Sequence, residues 1–206
     1  MKVLVVGATG GTGQELVRQA LSAGHEVTAL CRDPAKMNGQ AGVRTARGDV
    51  KDAASLSSAV AGQDAVLYAI GSNKTSPPGI RAEGVANVIA AMKEHGVRRL
   101  VALSAFGAGD SRGQGGFVYS KIISRFFMKD VLADQDAMES AVVSSGLDWT
   151  LVRPTRLTNA PAAGSWDVIF EGGKASSKIS RADTAAFMLK QVDDPTYVGQ
   201  APGITN

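Results

Sequence analysis

The stretch Gly7-Ala8-Thr9-Gly10-Gly11-Thr12-Gly13 follows directly on the apolar run Val3-Leu4-Val5-Val6. Four apolar residues bounded by a glycine predict a buried strand, and the apolar positions 16, 17, 20 and 21 recur at helical spacing. The glycines therefore lie in a strand-to-helix turn. The first free N–H groups of a helix carry a partial positive charge, and glycine lets an anion approach the backbone closely. The sequence thus predicts a turn that binds the pyrophosphate of a dinucleotide, with contacts from Gly7, Thr9, Gly10, Gly11, Thr12 and Gly13.

The spacing of this turn is G-x-x-G-x-x-G, which differs from the G-x-G-x-x-G of the best-known dinucleotide fingerprint. Glycine-rich turns also serve as plain connectors, so the pattern alone is a weak signal. Its context is more specific, because a second predicted strand at residues 26–31 completes a βαβ unit of about 30 residues. The context favours a binding turn over a connector.

Length and composition are those of one globular domain. The chain has 206 residues, of which 44% are hydrophobic, and this is enough for a single core over residues 1–206. No apolar run reaches the ~20 residues that would cross a bilayer. The first residues enter a predicted strand without the pattern of a signal peptide. We therefore expect a cytoplasmic protein without membrane association.

Cysteine, histidine and charge argue against several other classes. The single cysteine, Cys31, permits no internal disulfide and ends a predicted buried strand, so packing is its expected role. With one cysteine and two separate histidines, a transition-metal site is not expected. The net charge of +3 comes from dispersed Lys and Arg, without the basic stripe and interleaved aromatic residues of a nucleic-acid-binding surface. A mild positive excess favours an anionic small molecule as ligand.

Predicted strands and helices alternate almost to the end of the chain. This alternation predicts an α/β fold of the doubly wound type, with a parallel sheet between two helical layers. Ser180 and Asp183 have capping-box spacing, so Ser180 is expected to cap the last helix. The predicted strands cover residues 3–6, 26–31, 43–47, 64–70, 98–103 and 149–152, and the later predicted helices cover residues 53–60, 81–95, 118–144 and 182–192.

The end of the second predicted strand indicates which dinucleotide is bound. In NAD-selective sites a carboxylate there bonds the ribose 2′-hydroxyl, whereas an arginine accommodates a 2′-phosphate. Here Arg32 precedes Asp33, and Lys36 follows within one turn if Pro34 starts a short helix. Guanidinium and ammonium groups both bind phosphate through charge-assisted hydrogen bonds. We therefore predict NADP(H) as the cofactor. The alternatives are a solvated Arg32–Asp33 turn, or NADH with Asp33 on the ribose.

Two later strand ends are candidates for contacts along the rest of the cofactor. Asp49 could accept the exocyclic amine of the adenine while Val50 packs on the ring, and Asp49 could equally cap the helix that starts near residue 53. The fourth predicted strand ends in small residues and backbone where the cofactor must pass closely, namely Ala69, Ile70 and Gly71.

Three irregular segments interrupt the alternation. The loops at residues 71–79 and 105–116 begin where predicted strands end, and in open α/β sheets the ligand crevice lies outside those ends. Both loops are expected to border the site. Residues 159–178 are also irregular, with one more strand readable at residues 166–170. We expect this segment to form a small cap over the nicotinamide end.

With these residues in place, the chain resembles the atypical short-chain dehydrogenases/reductases of the NAD(P)H-binding, NmrA-like group, and within it the flavin and biliverdin reductases. The resemblance includes the glycine turn, Arg32 and Gly48-Asp49-Val50, and it spans nearly the whole chain. The further segments that carry it are residues 60–66, 83–87, 90–93, 104–106, 145–147, 179–180 and 187–189.

The resemblance implies a monomeric, NADPH-dependent reductase of flavins and linear tetrapyrroles. It implies that residues 9–13 hold the phosphates and that Arg32 and Lys36 hold the 2′-phosphate. It also places Ser104 beside the nicotinamide and sets around its carboxamide the residues Arg153, Pro154 and Thr155.

The chain lacks the Tyr-x-x-x-Lys pair with which many dehydrogenases donate a proton. Tyr119 is followed by lysine at position 121, and Ile123 stands where the lysine would be required. An ordinary alcohol dehydrogenase is therefore not expected. The loop after Phe106 and the stretch at residues 117–139 also depart from the flavin reductase pattern, so the sequence leaves the substrate open.

A conjugated acceptor suits such a site. Reduction of a flavin, quinone or biliverdin mainly needs a hydride donor held at about 3 to 3.5 Å, because the π system of the acceptor takes up the charge. We therefore predict an oxidoreductase for a small aromatic or conjugated acceptor. Ser104 is the candidate catalytic residue: it would orient the nicotinamide or bond a substrate carbonyl, or else only satisfy the strand end. Tyr119 and Lys121 are weaker candidates.

Two other functions share the glycine turn. A non-catalytic NADP(H) sensor that reports redox state to a protein partner is the main alternative, because the proton-donating pair is missing. An isomerase or epimerase of nucleotide sugars would need that pair and a larger substrate region.

Overall fold

The computed structural model describes residues 1–37, 39–71, 76–111, 129–170 and 178–206. Its strands are β1 (Lys2–Val6), β2 (Glu26–Cys31), β3 (Arg44–Arg47), β4 (Ala65–Tyr68), β5 (Arg99–Leu103), β6 (Asp148–Pro154), β7 (Arg156–Thr158), β8 (Asp167–Ile169), β9 (Lys178–Ser180) and β10 (Gly203–Thr205). Its α-helices are α1 (Gly11–Ser22), α2 (Ala53–Val60), α3 (Ile80–Glu94), α4 (Lys129–Val143) and α5 (Arg181–Lys190). Short 3-10 turns lie at Pro34–Met37, Gly109–Ser111 and Pro195–Tyr197.

Within the described residues, eight strands form one sheet in the order β3-β2-β1-β4-β5-β6-β10-β8. All neighbours are parallel except β8, which runs antiparallel to β10. The first six strands have the order 3-2-1-4-5-6 of a dinucleotide-binding doubly wound sheet. In this order the chain reverses its direction of winding between β1 and β4, which creates a crevice at their carboxyl ends.

Strand β1 shows how the two helical layers are built. Val3 and Val5 point to one face, where they pack in a core with α1 and α5, and Leu4 and Val6 point to the other face, where they pack with α2, α3 and α4. Because successive side chains of a strand point to opposite faces of the sheet, β1 contributes to two separate cores. This arrangement confirms the predicted three-layer α/β/α fold.

Most predicted elements form close to their predicted bounds. Helix α2 and strand β2 match their predicted limits, and Ser180 caps α5 by accepting a hydrogen bond from the backbone N–H of Asp183. The described part of the predicted helix at residues 118–144 is helical from Lys129, and its earlier part lies outside the described residues. The sequence analysis missed β7, β9 and β10, because three-residue strands show no measurable periodicity.

The segment expected to form a cap contributes instead, in part, to the sheet. Residues 167–169 form β8, which pairs with β10 and extends the main sheet at its edge. Strands β7 and β9 form a separate two-stranded parallel sheet beside it. Residues 171–177 lie outside the described residues. A cap over the nicotinamide end, formed by the rest of residues 159–178, stays a prediction.

Gly84 sets how closely α3 approaches the sheet. A Cβ on Gly84 would lie 2.7 Å from the hydroxyl oxygen of Tyr68 and 3.0 Å from the Cβ of Val50. Tyr68 is fully buried and donates a hydrogen bond of 2.8 Å to the carbonyl of Arg81. Burial, together with the nearby carboxylate of Asp134, raises the pKa of Tyr68 well above its ordinary value, so the hydroxyl keeps its proton.

We predict that Gly84→Ala lowers the free energy of unfolding by about 1 to 3 kcal/mol, because the added methyl group overpacks a rigid contact. The sign is informative, since alanine by itself favours a helix over glycine by about 1 kcal/mol. Urea denaturation measures the change. Ala86→Gly at an exposed position of the same helix is the control and should cost only the propensity difference. A stabilised Gly84→Ala protein would contradict the prediction.

Candidate functional site

The carboxyl ends of β1 and β4 meet at Gly7. This residue has φ of +87°, and a Cβ on it would lie 2.6 Å from the carbonyl oxygen of Ala69. Both the backbone conformation and the space therefore require glycine here. The close approach places the start of the glycine turn at the crevice where the winding reverses, which is the usual ligand position in this kind of sheet.

The rest of the turn presents bare backbone at the start of α1. The N-cap of α1 is Gly10, which has no side chain to bond the first N–H groups of the helix. The N–H of Gly10 donates to the carbonyl of Gly7 at 3.0 Å. A Cβ on Gly13 would lie 2.1 Å from that same carbonyl oxygen, so Gly13 lets the helix pack directly on the turn. Thr9, Gly10 and Gly11 are exposed, whereas Thr12 is buried. A side chain at Gly7 or Gly13 would clash with this backbone. We call residues 7–13 the glycine cradle; bare backbone at a helix start suits a pyrophosphate, and that contact stays a prediction.

A cation that the sequence analysis missed lies against this turn. The side chain of Arg181, the first residue of α5, approaches Gly11 so closely that a Cβ there would lie 2.7 Å from its Cδ and 2.8 Å from its Nε. Its Nη1 donates a hydrogen bond of 2.7 Å to Oδ1 of Asn159. Only the packing of α5 beside α1 brings this side chain to the glycine turn, so no local sequence signal could have found it.

Further cations lie where the adenosine end is predicted. Arg32 follows β2, and Lys36 lies in the 3-10 turn that Pro34 begins, as expected; both are exposed, and within the described residues neither is in an ion pair. The carboxylate of Asp33 accepts a hydrogen bond of 3.1 Å from the N–H of Ala35. Arg47 ends β3 opposite Cys31 and adds a third exposed cation, which the sequence analysis also missed.

The two interpretations of Asp49 separate in the structure. The N-cap of α2 is Asp52, whose side chain accepts from the N–H of Ala54, so the prediction that Asp49 caps this helix is wrong. Asp49 accepts instead from the N–H of Lys51 at 3.0 Å. Its contact with adenine stays a prediction. Val50 beside it is buried, and its carbonyl accepts a hydrogen bond of 2.9 Å from Asn87.

The fourth strand ends as the sequence predicts, with Ala69 buried, Ile70 half-buried and Gly71 exposed at the crevice. Tyr119 and Lys121, the weaker catalytic candidates, lie outside the described residues, as do residues 72–75 of the first loop.

Ser104 lies just beyond the end of β5 and belongs to a buried polar network. Its Oγ donates a hydrogen bond to Oε1 of Glu139 and accepts one of 2.9 Å from Nε2 of Gln135. Glu139 in turn accepts from Nε and Nη2 of Arg153 at 2.9 and 2.7 Å. The network therefore joins the end of β5 to α4 and to β6.

The three residues predicted around the carboxamide have different surroundings. The guanidinium of Arg153 is engaged with Glu139, the carbonyl of Pro154 accepts from the N–H of Phe106 at 2.9 Å, and Thr155 bonds Thr205 through its hydroxyl at 3.2 Å. All three are buried near Ser104 at the ends of β5 and β6. Their contacts with a cofactor stay predictions.

At the start of α5, Asp183 ties down the loop before β8. Its carboxylate accepts hydrogen bonds from the N–H groups of Ala163 and Gly164 at 2.9 and 3.0 Å, and others from Ser180 and Asn206. Burial by itself would raise the pKa of Asp183, but these hydrogen bonds outweigh it and the pKa lies below its ordinary value.

Two absences hold for the part of the chain that the structure describes. No group of three or more His, Cys, Asp or Glu side chains there is arranged to hold a metal ion. No described helix combines the length and the apolar character that a membrane span requires.

The sheet order, the glycine cradle and the cations around it define a dinucleotide-binding protein of the Rossmann type. The chain belongs to the NAD(P)H-binding family, whose model matches residues 7–195. This membership confirms the family resemblance and the predicted class of cofactor.

Individual proteins with the same architecture include reductases. The chain is 25% identical over 206 residues to the probable pinoresinol-lariciresinol reductase 3 of Arabidopsis thaliana; the match covers 94% of this chain but only 64% of that protein. The solved structure of ChuY, an anaerobilin reductase from Escherichia coli O157:H7, has a TM-score of 0.83 at 22% identity and covers 100% and 97% of the two chains. A short-chain dehydrogenase/reductase from Veillonella parvula, solved in complex with NADP, has a TM-score of 0.82 at 20% identity, with 100% and 94% covered.

We predict that Asp183→Asn destabilises the protein at pH 7 by about 1 to 3 kcal/mol, because hydrogen bonds to a charged acceptor are weakened. A carboxylate with a lowered folded-state pKa contributes stability above about pH 4, and this contribution is lost as the pH falls through the folded value. The variant should therefore lose less stability than the wild type between pH 5 and pH 2. Urea denaturation at several pH values measures both effects, with Asp193→Asn at an exposed position as the control. Identical pH profiles for Asp183→Asn and the wild type would refute this role.

Proposed function

We propose that the protein is an NADPH-dependent reductase that passes a hydride to a conjugated acceptor such as a flavin, quinone or biliverdin. One observation carries the proposal: the glycine cradle at the ends of β1 and β4 and the Ser104 network at the ends of β5 and β6 lie along the same edge of one sheet. A dinucleotide held by its phosphates at the cradle would extend along this edge in either direction. The relative from Arabidopsis thaliana is named as a probable reductase, which supports reduction as the class of reaction.

The charges at the adenosine end favour NADPH over NADH. Arg32 follows the end of β2, Arg47 ends the neighbouring β3, and Lys36 lies in the next turn, so three exposed cations lie near the strand ends where the 2′-phosphate is expected. One carboxylate oxygen of Asp33 accepts from the N–H of Ala35, which leaves the other able to bond a ribose, so the preference for NADPH rests on the cations. A phosphate there would form charge-assisted hydrogen bonds.

The chemistry expected at Ser104 needs no acid from the protein. When bound, NADPH supplies a hydride, which carries two electrons and one proton, and the acceptor takes its second proton from water. The described residues around Ser104 are an amide, a carboxylate and a guanidinium that hold one another, not a tyrosine with a lysine. Ser104 would therefore orient a ring rather than transfer a proton.

Cofactor selectivity can be tested with two arginines at different places in the site. Arg32→Ala should weaken NADPH about ten- to hundredfold, the loss expected for a charged hydrogen bond of about 1.5 to 3 kcal/mol, and leave NADH unchanged. Arg181→Ala should weaken NADPH and NADH by similar factors, because its side chain lies at the pyrophosphate cradle that both share. Isothermal titration calorimetry gives the dissociation constants of both cofactors for the wild type and for each variant.

Arg98→Ala is the control for these variants, because Arg98 precedes β5 at the opposite edge of the sheet, where it pairs with Asp148. It should change neither affinity. If Arg32→Ala weakened NADH as much as NADPH, the assignment of the 2′-phosphate would be wrong.

Turnover separates a reductase from a sensor. Purified protein should consume NADPH in the presence of flavin mononucleotide, menadione or biliverdin. The loss of NADPH absorbance at a fixed enzyme concentration measures this reaction. The cradle variant Gly13→Ala should abolish both binding and turnover, because its Cβ would lie 2.1 Å from a backbone oxygen. Tight binding of NADPH without turnover of any acceptor would instead favour a non-catalytic sensor.

A further inference from the structure

The ion pair beneath Ser104 has a fixed charge arrangement. Arg153 and Glu139 are both almost fully buried, with side chains 8% and 5% exposed, and they meet through two hydrogen bonds. Arginine keeps its proton in proteins, so the matching charge on Glu139 is that of a carboxylate. The loop after β5 covers the pair so tightly that a Cβ on Gly109 would lie 2.2 Å from Oε2 of Glu139 and 2.7 Å from Nη2 of Arg153.

This carboxylate decides where the proton of Ser104 points. An ionised carboxylate can only accept hydrogen bonds, and the hydroxyl of serine has a single hydrogen to give. Because Ser104 bonds Oε1 of Glu139, that hydrogen is committed to Glu139. Gln135 must then offer its N–H to the Ser104 oxygen, as the 2.9 Å contact from Nε2 shows. One lone pair of the Ser104 oxygen is left over.

From this polarity we infer that Ser104 meets its ligand as a hydrogen-bond acceptor, so that the site selects an N–H group; the inference rests on the proposed function. The N–H can come from the carboxamide of the nicotinamide or from the ring of the acceptor, such as the imide of a flavin or a pyrrole of a bilin. A quinone or ketone oxygen would face the Ser104 lone pair without a hydrogen between them. Under this inference Ser104 would not donate to a substrate carbonyl, which is the other ligand contact that the sequence left open for it.

Helix α4 gives the place where such a ring would lie. Val131, Gln135 and Glu139 recur every four residues and so share one face of the helix. Along this face the residues become more exposed away from the ion pair, from 4% at Glu139 and 5% at Gln135 to 40% at Val131. Val131 is apolar and exposed, and it lies one turn from Gln135, which contacts Ser104. A ring placed here would pack its face on Val131 and direct the polar group on its edge to Ser104.

The experiment compares ligands that differ only in the N–H group, on the full-length protein. The first arm measures dissociation constants for NADP⁺ and for its 3-acetylpyridine analogue, in which a methyl group replaces the amide nitrogen. Ser104→Ala should weaken NADP⁺ about three- to tenfold, the worth of a neutral hydrogen bond, and leave the analogue unchanged. The second arm measures KM for flavin mononucleotide, its N3-methylated form and menadione in the wild type and in Ser104→Ala.

Each arm identifies one source of the N–H. A selective loss with NADP⁺ assigns it to the carboxamide, and a selective rise in KM for flavin mononucleotide assigns it to the acceptor. If Ser104→Ala affects the ligands with and without N–H equally in both arms, the inference is wrong. If the protein reduces none of the acceptors and the proposed function fails, the second arm is measured as dissociation constants of the three acceptors in the presence of NADP⁺. Neither arm then needs turnover, and the inference is still decided.

Two further variants test the origin of the polarity. Ser104→Thr keeps the hydroxyl and should restore the preference for NADP⁺ over the analogue. In Glu139→Gln the new amide can donate an N–H to Ser104, which frees the hydroxyl hydrogen of Ser104 to point toward the ligand. The preference for NADP⁺ over the analogue should then shrink or reverse. If Glu139→Gln does not fold, which circular dichroism detects, the comparison of Ser104→Ala with Ser104→Thr still decides. An unchanged preference in a folded Glu139→Gln protein would overturn the role given to the carboxylate.

Discussion

The close approach of β1 and β4 at Gly7 is the constraint on which the site depends. At that point the carbonyl of Ala69 occupies the volume of a side chain, and the positive φ of Gly7 turns the backbone toward the start of α1. The same turn brings the carbonyl of Gly7 within hydrogen-bond distance of Gly10 and against Gly13. Backbone contacts thus hold strand, turn and helix in close register, and the side chain of Gln14 adds a hydrogen bond to the carbonyl of Thr9. The exposed N–H groups that result follow from the packing and need no side chain.

The polar network at the other end of the crevice works on a different principle. A buried ion pair such as Arg153–Glu139 adds little net stability, because the loss of hydration offsets the attraction. Here the pair determines the direction of the neighbouring hydrogen bonds. Two hydrogen bonds from Arg153 hold the carboxylate of Glu139, and this carboxylate orients the proton of Ser104 and, through it, the amide of Gln135. The crevice at the glycine turn thus presents bare backbone, whereas the end near Ser104 presents a defined order of donors and acceptors.

Sequence patterns located the elements well where each pattern is long or chemically distinctive. The apolar run before Gly7 and the strand that ends at Cys31 gave the βαβ unit, and the capping spacing at Ser180 marked the start of α5. The same reasoning failed at Asp49, because two aspartates three residues apart precede α2 and the pattern does not say which one caps it. The short strands β7, β9 and β10 are set by their partners in the sheets, so their own residues carry no signal.

The sequence by itself determined the fold class, the glycine turn between β1 and α1 and the position of Ser104 after a strand, because these features show in patterns of residues close together in the chain. Tertiary structure alone decided the partners of those residues. Arg181 reaches Gly11 only because α5 packs beside α1, and Glu139 reaches Ser104 only because α4 packs against β6 and the 3-10 turn that follows β5. Hydrogen bonds act over about 3 Å, and the distance between such residues along the chain bears no relation to their distance in space. The polarity of the site therefore became visible only in the folded protein.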